Sequence, residues 1–207
     1  MMNRPRRNRK SESIRSMVRE TNVSLSSLIY PLFVFEGNGT KIPIASMPGI
    51  FRWSQHEVIQ EVSECVALGI QHFVLFPVFP ESAKDKLASK SFAEDNFYLH
   101  LIHDLKARFP QITLMSDVAM DPYSSDGHDG LVIDGKILND ETLPILGKMA
   151  VAQAQAGIDI VGPSDMMDGR VEFIRDALDE SGYTDVSIMS YTAKYASACY
   201  GPFREAL

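Results

Sequence analysis

No stretch of this chain approaches 18 consecutive apolar residues, which excludes an ordinary membrane-spanning helix. Cysteine is scarce. Only Cys65 and Cys199 are present, far apart, so neither a disulfide framework nor a cysteine metal cluster can be built. The expected compartment is therefore the reducing cytosol. The basic N-terminus, Arg4 to Lys10, is followed by no apolar segment, so it does not read as a secretory signal. No G-x-G-x-x-G follows the first apolar run, and Gly37-Asn38-Gly39 is only a turn, which weakens a dinucleotide-binding reading. No low-complexity linker and no repeat beyond a βα unit is visible. Basic residues are also few after the start. The net charge is −7 over 207 residues, and five basic side chains sit in the first ten positions. Beyond them stand 15 basic against 27 acidic residues, a balance of −12. An acidic body with a short basic arm argues against nucleic acid as the main partner. By charge alone the arm reads as a solvated tail.

What is present is an alternation of strands and helices. Five apolar, β-branched-rich runs cover Leu28–Phe35, His72–Val78, Ile112–Val118, Ile158–Pro163 and Val186–Tyr191. They are continuous rather than alternating, as expected of strands buried on both faces of a parallel sheet. Helical patterns lie between them. Ser54 is the expected N-cap, with Glu57 as its capping-box acid, of a helix ending at Leu68 before Gly69. Further helices are expected over about 94–108, 141–156 and 170–180. Asp134-Gly135 between apolar flanks predicts a hairpin. The βαβ rhythm implies a parallel α/β core, either an open doubly wound sheet or a closed barrel.

Polar groups gather where strands end. Asp117 to Asp129 follow the third run; Ser164, Asp165 and Asp168 follow the fourth; Lys194 follows the fifth, with Tyr200 and Arg204 just beyond. Each alone could be a cap or a loop group. Their coincidence at one rim favours a site. Lys194 stands in Tyr191-Thr192-Ala193-Lys194-Tyr195-Ala196, among apolar neighbours. A free lysine amine is neutral about once in 2,500 at pH 7. Apolar surroundings are expected to lower its pKa and to make it a carbonyl nucleophile. On strand position alone the reading as a structural, snorkelling side chain wins.

Three motifs go further. They are Asp117-Val118-Ala119-Met120-Asp121-Pro122-Tyr123 with Gly127-His128-Asp129-Gly130, then Pro163-Ser164-Asp165-Met166-Met167-Asp168-Gly169-Arg170, then Met189 to Ser197 with Tyr200-Gly201-Pro202-Phe203-Arg204. Together they resemble the porphobilinogen synthase (delta-aminolevulinic acid dehydratase) family, and Arg4-Pro5-Arg6-Arg7 resembles its N-terminal element. The resemblance implies a TIM (β/α)8 barrel, here cut short after the fifth strand. Residues 1–25 would be an oligomerisation arm and 26–207 an incomplete barrel domain. It implies a lyase that condenses two 5-aminolevulinate molecules to porphobilinogen with loss of two waters, in a homo-octamer in the cytoplasm. Lys194 would form the Schiff base. Asp117, Ser164, Tyr200 and Arg204 would bind substrate. Zinc-dependent members carry cysteines where this chain has Ala119, Asp121 and Asp129. Zinc is thus not expected, and magnesium is, with Asp121 and Asp129 as candidate ligands and a further ligand beyond residue 207. The two aspartates could equally be loop carboxylates holding no metal. The family's second lysine has no counterpart. The 207-residue chain alone is accordingly expected to form no porphobilinogen and to dissolve poorly. Two rivals remain open. One is an aldolase-type Schiff-base lyase, which would need a late phosphate-binding loop. The other is an inactive remnant that binds substrate or associates with intact subunits.

Overall fold

The computed structural model describes residues 3–206, without the side chain of Arg204. A single 3-10 turn at Pro5–Arg9 and a short helix α1 (Glu12–Met17) form an exposed N-terminal arm. Then come β1 (Tyr30–Phe35), β2 (Lys41–Pro43), β3 (Phe51–Ser54), α2 (Gln55–Ala67) and β4 (His72–Val78). They are followed by α3 (Phe97–Arg108), β5 (Thr113–Val118), β6 (Val132–Ile133), β7 (Lys136–Ile137) and α4 (Asn139–Gln155). The chain continues through β8 (Ile160–Pro163), α5 (Arg170–Glu180), β9 (Ser187–Ile188) and α6 (Tyr200–Ala206).

All five expected strands are found, in one sheet of order β2-β3-β1-β4-β5-β8-β9. Every pairing in it is parallel except β2 with β3. The expected hairpin at Asp134-Gly135 is β6–β7. Among the described residues the sheet is open, with β2 and β9 at its edges, and does not close into a barrel. Two strands were not foreseen. β2 and β3 are short, and β3 lies directly against β1. Their residues, Lys41-Ile42-Pro43 and Phe51-Arg52-Trp53-Ser54, include a proline and charged groups, so no apolar run announces them. Ser54 does precede α2, but its hydroxyl makes no cap bond. It accepts the Thr40 N–H instead, at 3.2 Å, because the incoming β2 turn reaches it first.

Each strand alternates between two faces. Leu32, Val34, Phe73, Leu75, Leu114 and Val161 face the helices and meet Val58 and Val62 of α2, Leu101 and Leu105 of α3, Leu146 and Met149 of α4, and Ile174 and Leu178 of α5. Phe33, Val74, Phe76, Met115 and Ile160 face the other, concave side. There α6 covers them. Phe203 stands 5.6 Å from the Phe33 ring and 5.2 Å from the Phe76 ring. Arg52 Nε donates to Ala206 O at 2.8 Å and its guanidinium also reaches Glu205 O, while Ser46 Oγ donates to Pro202 O at 3.0 Å. Gly69 and Gly157, at φ of +93° and +101°, end α2 and α4 as the pattern predicted.

Gly162 is required by close approach. A Cβ there would lie 2.4 Å from Met115 Cε and 2.8 Å from the Ser116 carbonyl oxygen. The methionine tip can move, but the carbonyl belongs to the adjoining strand β5 and cannot. Gly162→Ala is expected to destabilise the fold by roughly 2–3 kcal/mol, as overpacking does when backbone must shift. Urea unfolding measures this. A variant within about 0.5 kcal/mol of the parent, the range of neutral surface changes, would show that the strands yield freely.

Candidate active site

The concave face and the carboxyl ends of the strands create the site. Met115 and Asp117 share one face of β5, so the alternation that buries Met115 in the concave cluster aims Asp117 the same way. Ser116, between them, points to the helices instead. Its Oγ donates to Gln153 Oε1 at 2.6 Å, and Gln153 Nε2 donates to Asp117 O at 2.9 Å. Both side chains are fully buried, and this clamp from α4 fixes the end of β5. Asp117 lies beside Gly162 in the parallel register. After β9 the backbone stays in register without regular structure. Met189 N–H donates to Val161 O at 2.9 Å and Tyr191 N–H to Pro163 O at 3.0 Å.

Lys194 follows three residues later. Its Nζ donates to Asp129 Oδ2 at 3.0 Å and to Ser164 O at 2.9 Å. Ser164 Oγ in turn donates to Asp117 Oδ1 at 2.7 Å. A cavity of about 420 Å³ opens here, lined by Asp117, Asp121, Asp129, Ser164, Lys194 and Tyr200 with apolar walls that include Phe76, Tyr191 and Phe203. A second, of about 550 Å³, shares Asp121, Asp129, Lys194 and Tyr200 and reaches Lys84 and His128. Lys194 thus borders both spaces. Its Nζ is also 6.0 Å from the centroid of the Tyr200 ring.

The structure therefore brings together Lys194, Asp117, Ser164, Asp121, Asp129 and Tyr200. Arg204 lies on α6, but its side chain is outside the described residues. Asp165 and Asp168 do not enter the cavity. Asp165 is buried, accepts the Met167 N–H at 2.8 Å and faces Arg170, with Oδ2 3.4 Å from Nε. Asp168 is exposed and its N–H donates to Asn139 Oδ1. Tyr191 and Phe203 sat inside the noticed motifs with no role assigned, and the structure makes them cavity walls.

The electrostatics correct one expectation. Burial does push the Lys194 amine toward neutrality, but Asp129, by charge and hydrogen bond, outweighs it and holds the pKa above the ordinary value. Apolar sequence neighbours did not reveal a carboxylate 65 positions away. The acids move upward. Burial raises Asp117 to about 7, against the opposing effects of the Ser164 hydroxyl and Lys194. Asp121 is raised first by burial, then by the charges of Asp117 and Asp129. Burial lifts Asp165 to about 6, opposed by the Met167 N–H and by Arg170. Near neutral pH this is one ammonium among carboxyls that exchange protons easily, an arrangement suited to moving a proton to or from a reacting carbonyl.

A parallel α/β sheet with a lysine and convergent acids at its carboxyl rim is the arrangement in which such folds gather their functional groups. Comparison with known proteins narrows it. The family model for delta-aminolevulinic acid dehydratase matches residues 2–207. The delta-aminolevulinic acid dehydratase of Chlamydia pneumoniae is 48% identical over 204 residues, covering 99% of this chain and 61% of its own length. The chloroplastic enzyme of Chlamydomonas reinhardtii is 54% identical over 206 residues, covering 99% of this chain and 53% of the relative. The crystal structure of the Toxoplasma gondii ME49 enzyme, in complex with the reaction product porphobilinogen, superposes with a TM-score of 0.96 at 50% identity, over 100% of this chain and 59% of that one. The chain belongs to the delta-aminolevulinic acid dehydratase family. It spans about half to three-fifths of the length of these relatives.

Proposed function

We propose that this chain carries the Schiff-base half of a porphobilinogen synthase site, where two 5-aminolevulinate molecules condense with loss of two waters. The observation that carries the reading is Lys194 Nζ, held between Asp129 and Ser164 O at the border of two cavities. Two spaces suit two substrate molecules. Substrate entering beside Lys194 displaces its 3.0 Å hydrogen bond to Asp129, which removes the main hold on the ammonium, and the proton leaves to water to free the amine. The amine attacks the substrate's keto carbon, giving a carbinolamine. Asp117, whose pKa of about 7 keeps it partly protonated at neutral pH, donates a proton to the departing hydroxyl; water leaves and the imine forms. Tyr191, Phe203 and Phe76 keep bulk water off the imine. The test is borohydride reduction in the presence of 5-aminolevulinate, read by peptide mass. An adduct confined to Lys194 is expected, and an equal spread over surface lysines would sink the reading.

The metal reading follows from donor chemistry. Among the described residues no group of three or more His, Cys, Asp or Glu side chains is placed to hold a metal ion. Asp121 and Asp129 offer hard oxygen ligands, which suit magnesium completed by waters and not zinc. Such an ion would supply positive charge to the acid cluster and would share Asp129 with Lys194. Elemental analysis after dialysis is expected to find no stoichiometric zinc; one tightly held zinc per chain would overturn this.

The same reading includes a cytoplasmic homo-oligomer. No described helix is long and apolar enough to cross a membrane. The arm ahead of the sheet leaves Met17 82% and Val23 80% exposed, as a segment laid on another subunit would. Sedimentation showing only monomer would remove the oligomer from it.

A further inference from the structure

The segment that delivers Lys194 has no regular structure of its own from Met189 to Ala198. Something must fix it, because Nζ makes two specific bonds at its end. We propose that Arg170 is the positioning residue for Lys194, sewing that segment to the loop after β8. Arg170 lines neither cavity and touches no reacting group. It acts through what it holds.

Its side chain is 17% exposed, with hydrogen bonds to three acceptors and one ion-pair contact. One terminal nitrogen donates to Met167 O at 3.2 Å. The other donates to Ser190 Oγ at 3.1 Å and to Tyr191 O at 2.7 Å. Nε stands 3.4 Å from Asp165 Oδ2, and Asp165 is fully buried. Two of these partners, the Met167 acceptor and the Asp165 ion pair, belong to the β8–α5 loop, and two acceptors belong to the segment carrying Lys194. Two further bonds close the same seam: Tyr191 N–H to Pro163 O, and Lys194 Nζ to Ser164 O. The loop is rigid enough to serve as the fixed side. Met166 takes φ +68°, an uncommon conformation for a side-chain-bearing residue. Asp165 and Asn139 bond its backbone at Met167 and Asp168. A planar guanidinium fork can serve several acceptors on two segments at once; a lysine ammonium on a flexible stem cannot.

The inference rests on Lys194 being the Schiff-base residue, so the experiment carries one readout that needs the substrate and two that do not. Arg170→Met and Arg170→Lys are compared with the parent. Hydrogen exchange should rise over residues 189–195 while peptides from β4 stay protected. Reductive methylation by formaldehyde should modify Lys194 several-fold faster relative to Lys106, which is held elsewhere by Asp159. Borohydride trapping of 5-aminolevulinate on Lys194 should move the opposite way, falling on the order of 10²-fold, as misplacement of a reacting group by about an ångström does. Arg170→Lys should fail to restore trapping. If Arg170→Met does not fold, Arg170→Lys carries the same criteria. Unchanged exchange and unchanged relative methylation would overturn the proposal, and so would a loosened segment that still traps at the parental rate. If the parent itself forms no adduct, the functional reading fails, while exchange and methylation still decide the role of Arg170.

Discussion

Lys194→Met is expected to leave the chain folded and to abolish the borohydride-trapped adduct with 5-aminolevulinate. Methionine keeps the length and apolar character of the lysine stem, so the contacts with Tyr200 and the cavity wall survive in outline. The amine is lost, and among the described residues no other lysine stands between the two cavities; Lys84 touches only the second. Asp129 loses its cation, yet it is 12% exposed and can be reached by water. The stability cost should therefore stay at about 1–3 kcal/mol, the range for a hydrogen-bonded group left unpartnered. Lys84→Met is the matched control and should keep the adduct. Mass spectrometry of the digested chain decides. An adduct in Lys194→Met at the parental yield would show that another amine does the chemistry, and the assignment of Lys194 would fall with it.

The features legible in the sequence were those written in contiguous residues. The four buried strands β1, β4, β5 and β8 appeared because parallel strands covered on both faces need unbroken apolar runs, and the edge strand β9 appeared from the apolar run that continues past it. The helix ends at Gly69 and Gly157 appeared because few other residues accept their backbone conformation. The candidate site appeared because its members follow strand ends, where a parallel sheet delivers them to one rim. Partnerships across the fold were not legible. Nothing near Lys194 in sequence names Asp129 as its partner, and the apolar neighbours suggested a lowered pKa where the ion pair raises it. Arg170 stood at the end of a recognised motif, but its hold on Ser190 and Tyr191 depends on how α5 begins beside the end of β9. β2 and β3 carry too few apolar residues to register as strands, and they exist because β1 offers an edge for them to pair with.

Asp117→Asn is expected to stabilise the fold at pH 8 and to lose that advantage as the pH falls. Burial raises the Asp117 carboxyl to about 7, whereas in the unfolded chain it titrates near 3.8. Below about pH 4 both states hold the proton, and the native preference for the neutral acid is fully present. Between about pH 4 and 7 the unfolded chain releases the proton while the native chain keeps it. The native state then binds more protons, so stability falls as pH rises. Above about 7 the loss is complete. It amounts to at most about 4 kcal/mol, at roughly 1.4 kcal/mol per pKa unit. Asparagine has the same shape, and its Oδ1 still accepts the Ser164 hydroxyl that Asp117 now receives at 2.7 Å. It carries no charge to desolvate. The difference in unfolding free energy between variant and parent should thus grow from pH 5 to about pH 7 and level off by pH 8. Asp165, also raised, keeps its slope in both proteins and largely cancels from the difference, whereas Asp121, raised in part by the Asp117 charge, is raised less in the variant and adds to its advantage at high pH. Borohydride trapping should fall in the same variant, since the amide has no proton to give the departing hydroxyl. Urea midpoints at pH 5, 6, 7 and 8 measure the first effect. A difference flat across that range would mean that Asp117 is ionised throughout, and it could not then be the acid of the dehydration step.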